Sequence, residues 1–272
     1  MQLPTIELTG GLRAPVLSVG TYKVENLEEV IDAAFAKGLL AVDAAEHYHN
    51  EVAVGAALKH SGWARDAYYL STKIWNADQG YEKTLRAFEG SVERLQTEPD
   101  MLLMHWPCPM LGLYQETWQA MQTLLKSGRV RGIGVCNFKI AHLEELKKLG
   151  GVQPMVNQIE MHPFFIDDEM LAYAKENHIV IEAWSPLLRG TKVISDPMVV
   201  SIAQKYGVSP AQLAIRYLTQ YGVRVIVKSS NPLHVTENCD VFDFRISDED
   251  FERLRTLNVG KRVFQDPDAY CL

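Results

Sequence analysis

The sequence predicts an α/β fold: a (β/α)8 TIM barrel with an N-terminal β-hairpin plug. Two observations carry this. Eight short apolar or β-branched runs alternate with amphipathic stretches, and polar or aromatic residues gather at one end of those runs. Strands alternating with helices pair in parallel through right-handed crossovers. Eight repeats favour closure into a barrel over an open doubly wound sheet. A length of 272 residues suits one such barrel, so residues 1-272 are read as a single domain.

The elements follow in order. Thr5–Leu8 and Leu12–Pro15 flank Thr9-Gly10-Gly11, a hairpin placed to plug one barrel end. The strand-like runs are Val16–Gly20, Leu39–Asp43, Tyr68–Lys73, Met101–His105, Val130–Cys136, Met155–Glu160, Ile179–Trp184 and Val223–Lys228. Such runs suit strands buried on both faces. Between them, Tyr81, Leu85, Phe88, Val92 and Leu95 share a helix face, as do Tyr114, Trp118, Met121 and Leu125. Residues Asp196–Tyr206 add a helix beyond the minimal repeat. Ser209-Pro210 opens another helix as N-cap and first residue. Ser247-Asp248-Glu249-Asp250 opens the last, with acids in its first turn. After Leu257 the pattern is irregular, and a tail lying over the surface is expected.

Composition narrows the function classes. With 47% hydrophobic and 22% charged residues, the chain can fill a sizeable core. The net charge is −7 with no basic block, which argues against nucleic acid or an anionic membrane as partner. The start has no charged and then apolar leader, and no run of about 18 apolar residues occurs, so neither signal peptide nor transmembrane helix is expected. Cys108, Cys136, Cys239 and Cys271 are widely spaced without a C-x-x-C. They read as reduced thiols of a cytoplasmic protein.

Barrel enzymes carry their chemistry on the loops after each strand. The strand runs end at Gly20-Thr21-Tyr22, Asp43, Lys73, His105, Cys136-Asn137, Gln158-Ile159-Glu160, Trp184-Ser185 and Lys228-Ser229. Singly, an Asp there is a turn former, a Lys is solvated and a His is packed. Together on consecutive strands, with Tyr48 just past Asp43, they form a set. A tyrosine of pKa about 10 is a poor acid at neutral pH. Lys73 beside it is expected to lower that value by roughly two to three units, worth about 3–4 kcal/mol. Lys73 then needs a counter-ion, and Asp43 supplies it. His105 orients a substrate oxygen toward Tyr48. The set protonates a carbonyl oxygen. It supplies no hydride, so a cofactor is implied, and no metal.

These segments resemble the aldo-keto reductase family: Val42-Asp43-Ala44-Ala45-Glu46-His47-Tyr48-His49-Asn50-Glu51, Ser71-Thr72-Lys73-Ile74-Trp75-Asn76, Leu103-Met104-His105-Trp106-Pro107, Gly132-Ile133-Gly134-Val135-Cys136-Asn137-Phe138, Val156-Asn157-Gln158-Ile159-Glu160 and Glu182-Ala183-Trp184-Ser185-Pro186-Leu187. The pattern is closest to microbial members of the diketogluconate reductase and prostaglandin F synthase type. The resemblance implies reduction of aldehydes or ketones with NADPH, NADH being a second option. It implies Asp43, Tyr48, Lys73 and His105 as the catalytic tetrad, with Tyr48 as general acid. It implies Asn137 and Gln158 on the nicotinamide carboxamide, Trp184 stacked on the nicotinamide, and Ser185 and Leu187 along the pyrophosphate. Gly20, Thr21, Tyr22, Lys228, Ser229, His234, Glu237 and Asn238 complete the implied cofactor site. Tyr22, Trp75, His105 and Trp106 line the implied pocket for a small carbonyl substrate. A monomer is the family-level expectation.

Departures from the pattern matter as much. His234 stands where an arginine usually grips the 2′-phosphate, so NADPH selectivity is expected to be modest. Cys136 replaces a serine, a weaker donor, and Ala44 replaces a threonine. The tail is short, which implies a more open substrate pocket. Rival readings are weaker. His47-x-His49 lies in a loop, where a barrel hydrolase would need it on a strand. Gly132-x-Gly134-x-x-Asn137 lacks the third glycine of a dinucleotide fingerprint. A non-catalytic nicotinamide-binding regulatory subunit would share the motifs but need no intact tetrad.

Overall fold

A computed structural model describes residues 3–271. The hairpin strands β1 (Thr5–Glu7) and β2 (Arg13–Pro15) pair antiparallel, with Thr5 opposite Pro15 and Glu7 opposite Arg13. The turn closes through Leu8 N–H to Leu12 O at 2.8 Å. Gly10 and Gly11 take positive φ there, a conformation other residues adopt at a cost.

Eight further strands form the closed barrel: β3 (Leu17–Gly20), β4 (Ala41–Asp43), β5 (Tyr69–Ile74), β6 (Met101–Met104), β7 (Gly132–Cys136), β8 (Val156–Glu160), β9 (Val180–Trp184) and β10 (Arg224–Val227). Every neighbouring pair is parallel, and β10 closes the circle on β3. The helices are α1 (Leu27–Ala36), α2 (Glu51–His60), α3 (Tyr81–Leu95), α4 (Tyr114–Lys126), α5 (Ile140–Lys148), α6 (Asp168–Glu176), α7 (Lys192–Ser195), α8 (Pro197–Tyr206), α9 (Pro210–Gln220), α10 (Pro232–Glu237) and α11 (Asp248–Arg255). The caps match their sequence signals. Ser209 and Gln212 form a capping box on α9, and the Ser247 side chain accepts from Asp250 N–H on α11. Asp196 caps α8, the helix beyond the repeat.

On α3 the buried face is Thr84, Ala87, Phe88, Ser91 and Leu95, with Leu85 and Val92 only half-buried. It is rotated from the face that the apolar residues alone define. The cause is a polar contact. Ser91 Oγ and Arg94 Nε bond the buried Glu51 carboxylate at 3.1 and 2.8 Å, drawing α3 round toward α2. The two helices touch backbone to backbone: a Cβ on Gly55 would lie 2.5 Å from Leu95 O.

The barrel interior is filled, not hollow. Leu8, Leu12 and Ala14 from the hairpin pack with Ala41, Tyr69, Met101, Leu103, Cys136, Met155 and Val156. The hairpin therefore plugs the end where the strands begin. The barrel closes on a buried ion pair. Arg224, 1% exposed, reaches Glu182 Oε1 at 2.6 Å, Pro15 O at 2.8 Å and Ser18 Oγ at 3.0 Å. One residue thus ties β10 to β9 and to the start of β3.

Candidate active site

Asp43, Lys73 and His105 end β4, adjoin the end of β5 and follow β6, so three neighbouring strands deliver them to one place. Lys73 is wholly buried. Its Nζ donates to Asp43 Oδ2 at 2.7 Å and to Ala44 O at 2.9 Å. The other Asp43 oxygen accepts from Ser71 Oγ at 2.9 Å and Gln158 Nε2 at 3.0 Å. Burial opposes the lysine charge, but Asp43 and Tyr48 more than reverse it, and the ammonium is held above its ordinary value.

Tyr48 ends a short 3-10 turn, Glu46–Tyr48, that leaves β4 and stops at His49 in the left-handed region. The following helix is clamped at its first residue: Glu51 accepts from Thr72 Oγ1 at 2.5 Å and from Arg94 Nε at 2.8 Å. The turn is thereby fixed over Lys73, whose Nζ lies 5.1 Å from the Tyr48 ring centroid. The Tyr48 side chain is half-buried, with its hydroxyl in a desolvated setting. Burial dominates there and pushes the phenol above its ordinary value, with Lys73 pulling the other way. This corrects the expectation that Lys73 lowers the phenol outright. In this state Tyr48 keeps its proton throughout the physiological range. Burial first, then the Lys73 charge, hold His105 well below its ordinary value, so it is a neutral imidazole.

An aromatic bowl surrounds these groups. The Tyr22 ring lies 5.0 Å from Tyr48, and Trp75 lies 5.0 Å from His105. His47 stacks on Trp75 at 3.5 Å, and Trp106 is almost fully buried. A cleft of about 420 Å³ opens beside the bowl, lined by Glu46, His47, Trp75 and Asp78 among others. Burial and the nearby Asp78 push Glu46 up to about 7.

The residues assigned to a nicotinamide fall into three groups. Asn137, Gln158 and Trp184 converge beside the tetrad. Trp184 Nε1 donates to Asn137 Oδ1 at 2.9 Å, and Asn137 Nδ2 donates to His105 O at 3.0 Å. Gln158 spends its amide nitrogen on Asp43 and on Glu182 Oε2 at 2.7 Å, leaving its carbonyl oxygen as an acceptor for a carboxamide. Ser185 and Asn137 both take positive φ at the rim, and Leu187 follows in the same loop.

The second group lies on the outer rim past β10. Lys228 and His234 are exposed, as is Glu237, with Ser229 half-buried and Asn238 buried at the end of α10. The third is structural in this state. A Cβ on Gly20 would lie 2.8 Å from Ile226 Cγ2, and the Thr21 hydroxyl donates to Asp43 O at 2.9 Å. Cys136 also differs from expectation. Its thiol is buried in the barrel interior, where burial pushes it well above its ordinary value, so it is a packing residue and no rim donor. Ala44 contributes its carbonyl to Lys73, a bond that does not depend on its side chain. The set, with one free amide oxygen, one indole face and an exposed rim lysine on the same barrel end, fits a dinucleotide.

Several residues of the site have no signal in the strand-end reading. Glu182 and Arg224 lie inside strands and form the charge network beneath the tetrad. An acid within Ile181-Glu182-Ala183, in a strand with both faces covered, is the cue that points to it. The tail is the larger surprise. Glu160 accepts from Val263 N–H at 2.7 Å and Phe264 N–H at 3.3 Å. Phe264 then packs 5.0 Å from Trp184, and Tyr270 packs 4.5 Å from Trp106 and 6.5 Å from Trp75. Short as it is, the tail reaches the aromatic residues at the barrel mouth.

Comparison with known proteins agrees with this geometry. The Aldo/keto reductase family model matches residues 10–259. Glyoxal reductase of Bacillus subtilis is 42% identical over 268 residues, covering 97% of this chain and 96% of that protein. Methylglyoxal reductase DkgA of Escherichia coli is 40% identical over 276 residues, 99% of each. The crystal structure of a Gox0644 variant in complex with NADPH superposes with a TM-score of 0.94 at 38% identity, covering 99% of each chain. A closed eight-stranded barrel bearing these motifs end to end, with such relatives, belongs to the aldo/keto reductase family.

Proposed function

We propose that this enzyme reduces small aldehydes, ketones and α-dicarbonyls with NADPH, Tyr48 giving the proton to the carbonyl oxygen. The observation that carries the reading is the buried Lys73–Asp43 pair set beneath a protonated Tyr48 and facing a neutral His105. The relatives named glyoxal and methylglyoxal reductases support the α-dicarbonyl class.

Bound NADPH supplies the hydride. Gln158, Asn137 and Trp184 would hold its nicotinamide, and Lys228, Ser229 and His234 its 2′-phosphate end. The chain's residues do the rest. Neutral His105 donates a hydrogen bond to the substrate oxygen and sets its direction. Tyr48 Oη holds the proton that this oxygen takes. As charge grows on the oxygen, the proton leaves Tyr48, and the phenolate left behind faces Lys73. The ammonium stabilises that charge more than it does the neutral phenol, so its effect is concentrated in the transition state. Asp43 keeps Lys73 charged in a dry site. Tyr22, Trp75, Trp106 and Tyr270 exclude water and offer apolar walls to a small substrate.

The test is turnover of a carbonyl panel with NADPH and NADH in parallel, with Tyr48→Phe as the control. General acid catalysis contributes about 10²- to 10⁴-fold, so the variant should lose at least that in kcat. Full activity of Tyr48→Phe overturns the reading, and cofactor binding without turnover by wild type favours a regulatory subunit.

A further inference from the structure

We propose that Cys108 and Cys271 form an oxidative modification site, a disulfide fastening the tail to the loop after β6 and fixing Tyr270 at the substrate mouth. Cys108 follows His105-Trp106-Pro107 and is fully buried. Its thiol donates to Tyr270 O at 3.7 Å, which places the next residue, Cys271, directly beside it. The other cysteines are differently placed. Cys136 lies inside the barrel, and Cys239 is buried with its thiol on Val235 O. Of the four, only Cys271 is not buried, so only this pair joins an accessible thiol to a second thiol.

The oxidant is a low-molecular-weight disulfide. The accessible Cys271 attacks it as thiolate, forming a mixed disulfide and releasing one small thiol. Cys108 then attacks the Cys271 sulfur and releases the second small thiol. Two protein thiols become one disulfide, the small disulfide becomes two thiols, and the two protons pass from the protein to the leaving thiolates. Burial, and then the neighbouring Cys271, push the Cys108 thiol up, so the accessible Cys271 and not Cys108 makes the first attack.

In the reduced chain the end of the tail is held through its exposed acids. Lys139 reaches Asp266 at 2.7 Å and Asp268 at 2.5 Å, and His142 reaches Asp268 at 3.0 Å, pairs that are weak when one partner is solvated. Tyr270 can therefore swing off Trp106 to admit a larger substrate. The cross-link removes that freedom. Small carbonyls still enter, and bulky ones do not.

The full chain is incubated with excess oxidised glutathione and mapped by mass spectrometry without reduction. The expected result is a Cys108–Cys271 peptide pair, with Cys136 and Cys239 unmodified and the pair lost in Cys271→Ser. Cys108→Ser should instead retain glutathione on Cys271. A stable glutathione adduct on Cys271 of the wild type, with Cys108 free, overturns the proposal. This readout needs no turnover, so it stands apart from the proposed reaction. The consequence is read as kcat/KM for a bulky aromatic aldehyde against a two- or three-carbon aldehyde. Oxidation should lower that ratio by about 10-fold or more, restored by reductant and absent in Cys271→Ser. An unchanged ratio in the cross-linked wild type removes the gating role.

Discussion

Replacing Asp43 by Asn tests the counter-ion argument through stability. The change removes a charge and keeps the shape. Lys73 and Asp43 have 0% and 2% exposed side chains and meet at 2.7 Å. Removing one member of such a pair strands the other and costs about 3–5 kcal/mol. The pH dependence is the sharper test. In the wild type, burial opposes the lysine charge but Asp43 and Tyr48 outweigh it, so the folded value lies above the unfolded one. That stabilisation is complete below the unfolded value of about 10.4 and fades only as pH rises past it toward the folded one. This pair therefore adds no slope across roughly pH 6 to 9. In Asp43→Asn, burial acts without the carboxylate, and the folded value drops below the unfolded one. The unfolded state then binds more protons between the two values, so the variant gains stability as pH climbs. The gain is at most about 1.4 kcal/mol per pH unit. Urea unfolding followed by tryptophan fluorescence at neutral pH and at about pH 9.5 measures both chains. The gap should narrow by roughly 1–3 kcal/mol at the higher pH. An equal gap at both refutes the claim that Lys73 is stranded as a buried charge.

Two further outcomes are expected. Glu160→Gln loses a charged acceptor for two backbone donors, worth about 1.5–3 kcal/mol for such a bond, so the tail should loosen. Limited trypsin digestion after Lys261 and Arg262 should accelerate about 10-fold or more, and an unchanged cleavage rate would show that Glu160 does not hold the tail. His234→Arg adds a permanent cation to the exposed rim of α10, and NADPH should gain about 10-fold over NADH. Equal selectivity in both chains would remove His234 from phosphate recognition.

The barrel was legible because its signals are local. Alternating runs, the Ser209 and Ser247 caps and the Gly10-Gly11 turn each depend on a few adjacent residues. Asp43, Lys73 and His105 were legible for a related reason: parallel strands in register bring successive strand ends together. What escaped depends on burial and on distant partners. The rotated face of α3 follows from Glu51, forty positions from Ser91. The direction of the Tyr48 shift depends on how deeply the hydroxyl sits, which no spacing encodes. The tail has no periodicity, so Phe264 and Tyr270 gave no sign of reaching the mouth.

The Arg224 ion pair has a consequence for how the molecule is made. Pro15 and Arg224 are 209 positions apart, and β3 stays an unpaired edge on one side until β10 exists. On the ribosome, the first barrel strand leaves early and waits for the last. The circle cannot close until nearly the whole polypeptide has emerged, and an open parallel sheet with a bare edge is what aggregates. Glu182, on β9, stays unburied until β10 brings Arg224. It keeps the β9 edge hydrated, and both charges meet their desolvation cost only at closure, when each finds the other. Glu182 thus acts as a gatekeeper of the growing sheet and, with Arg224, as the clasp of the finished barrel.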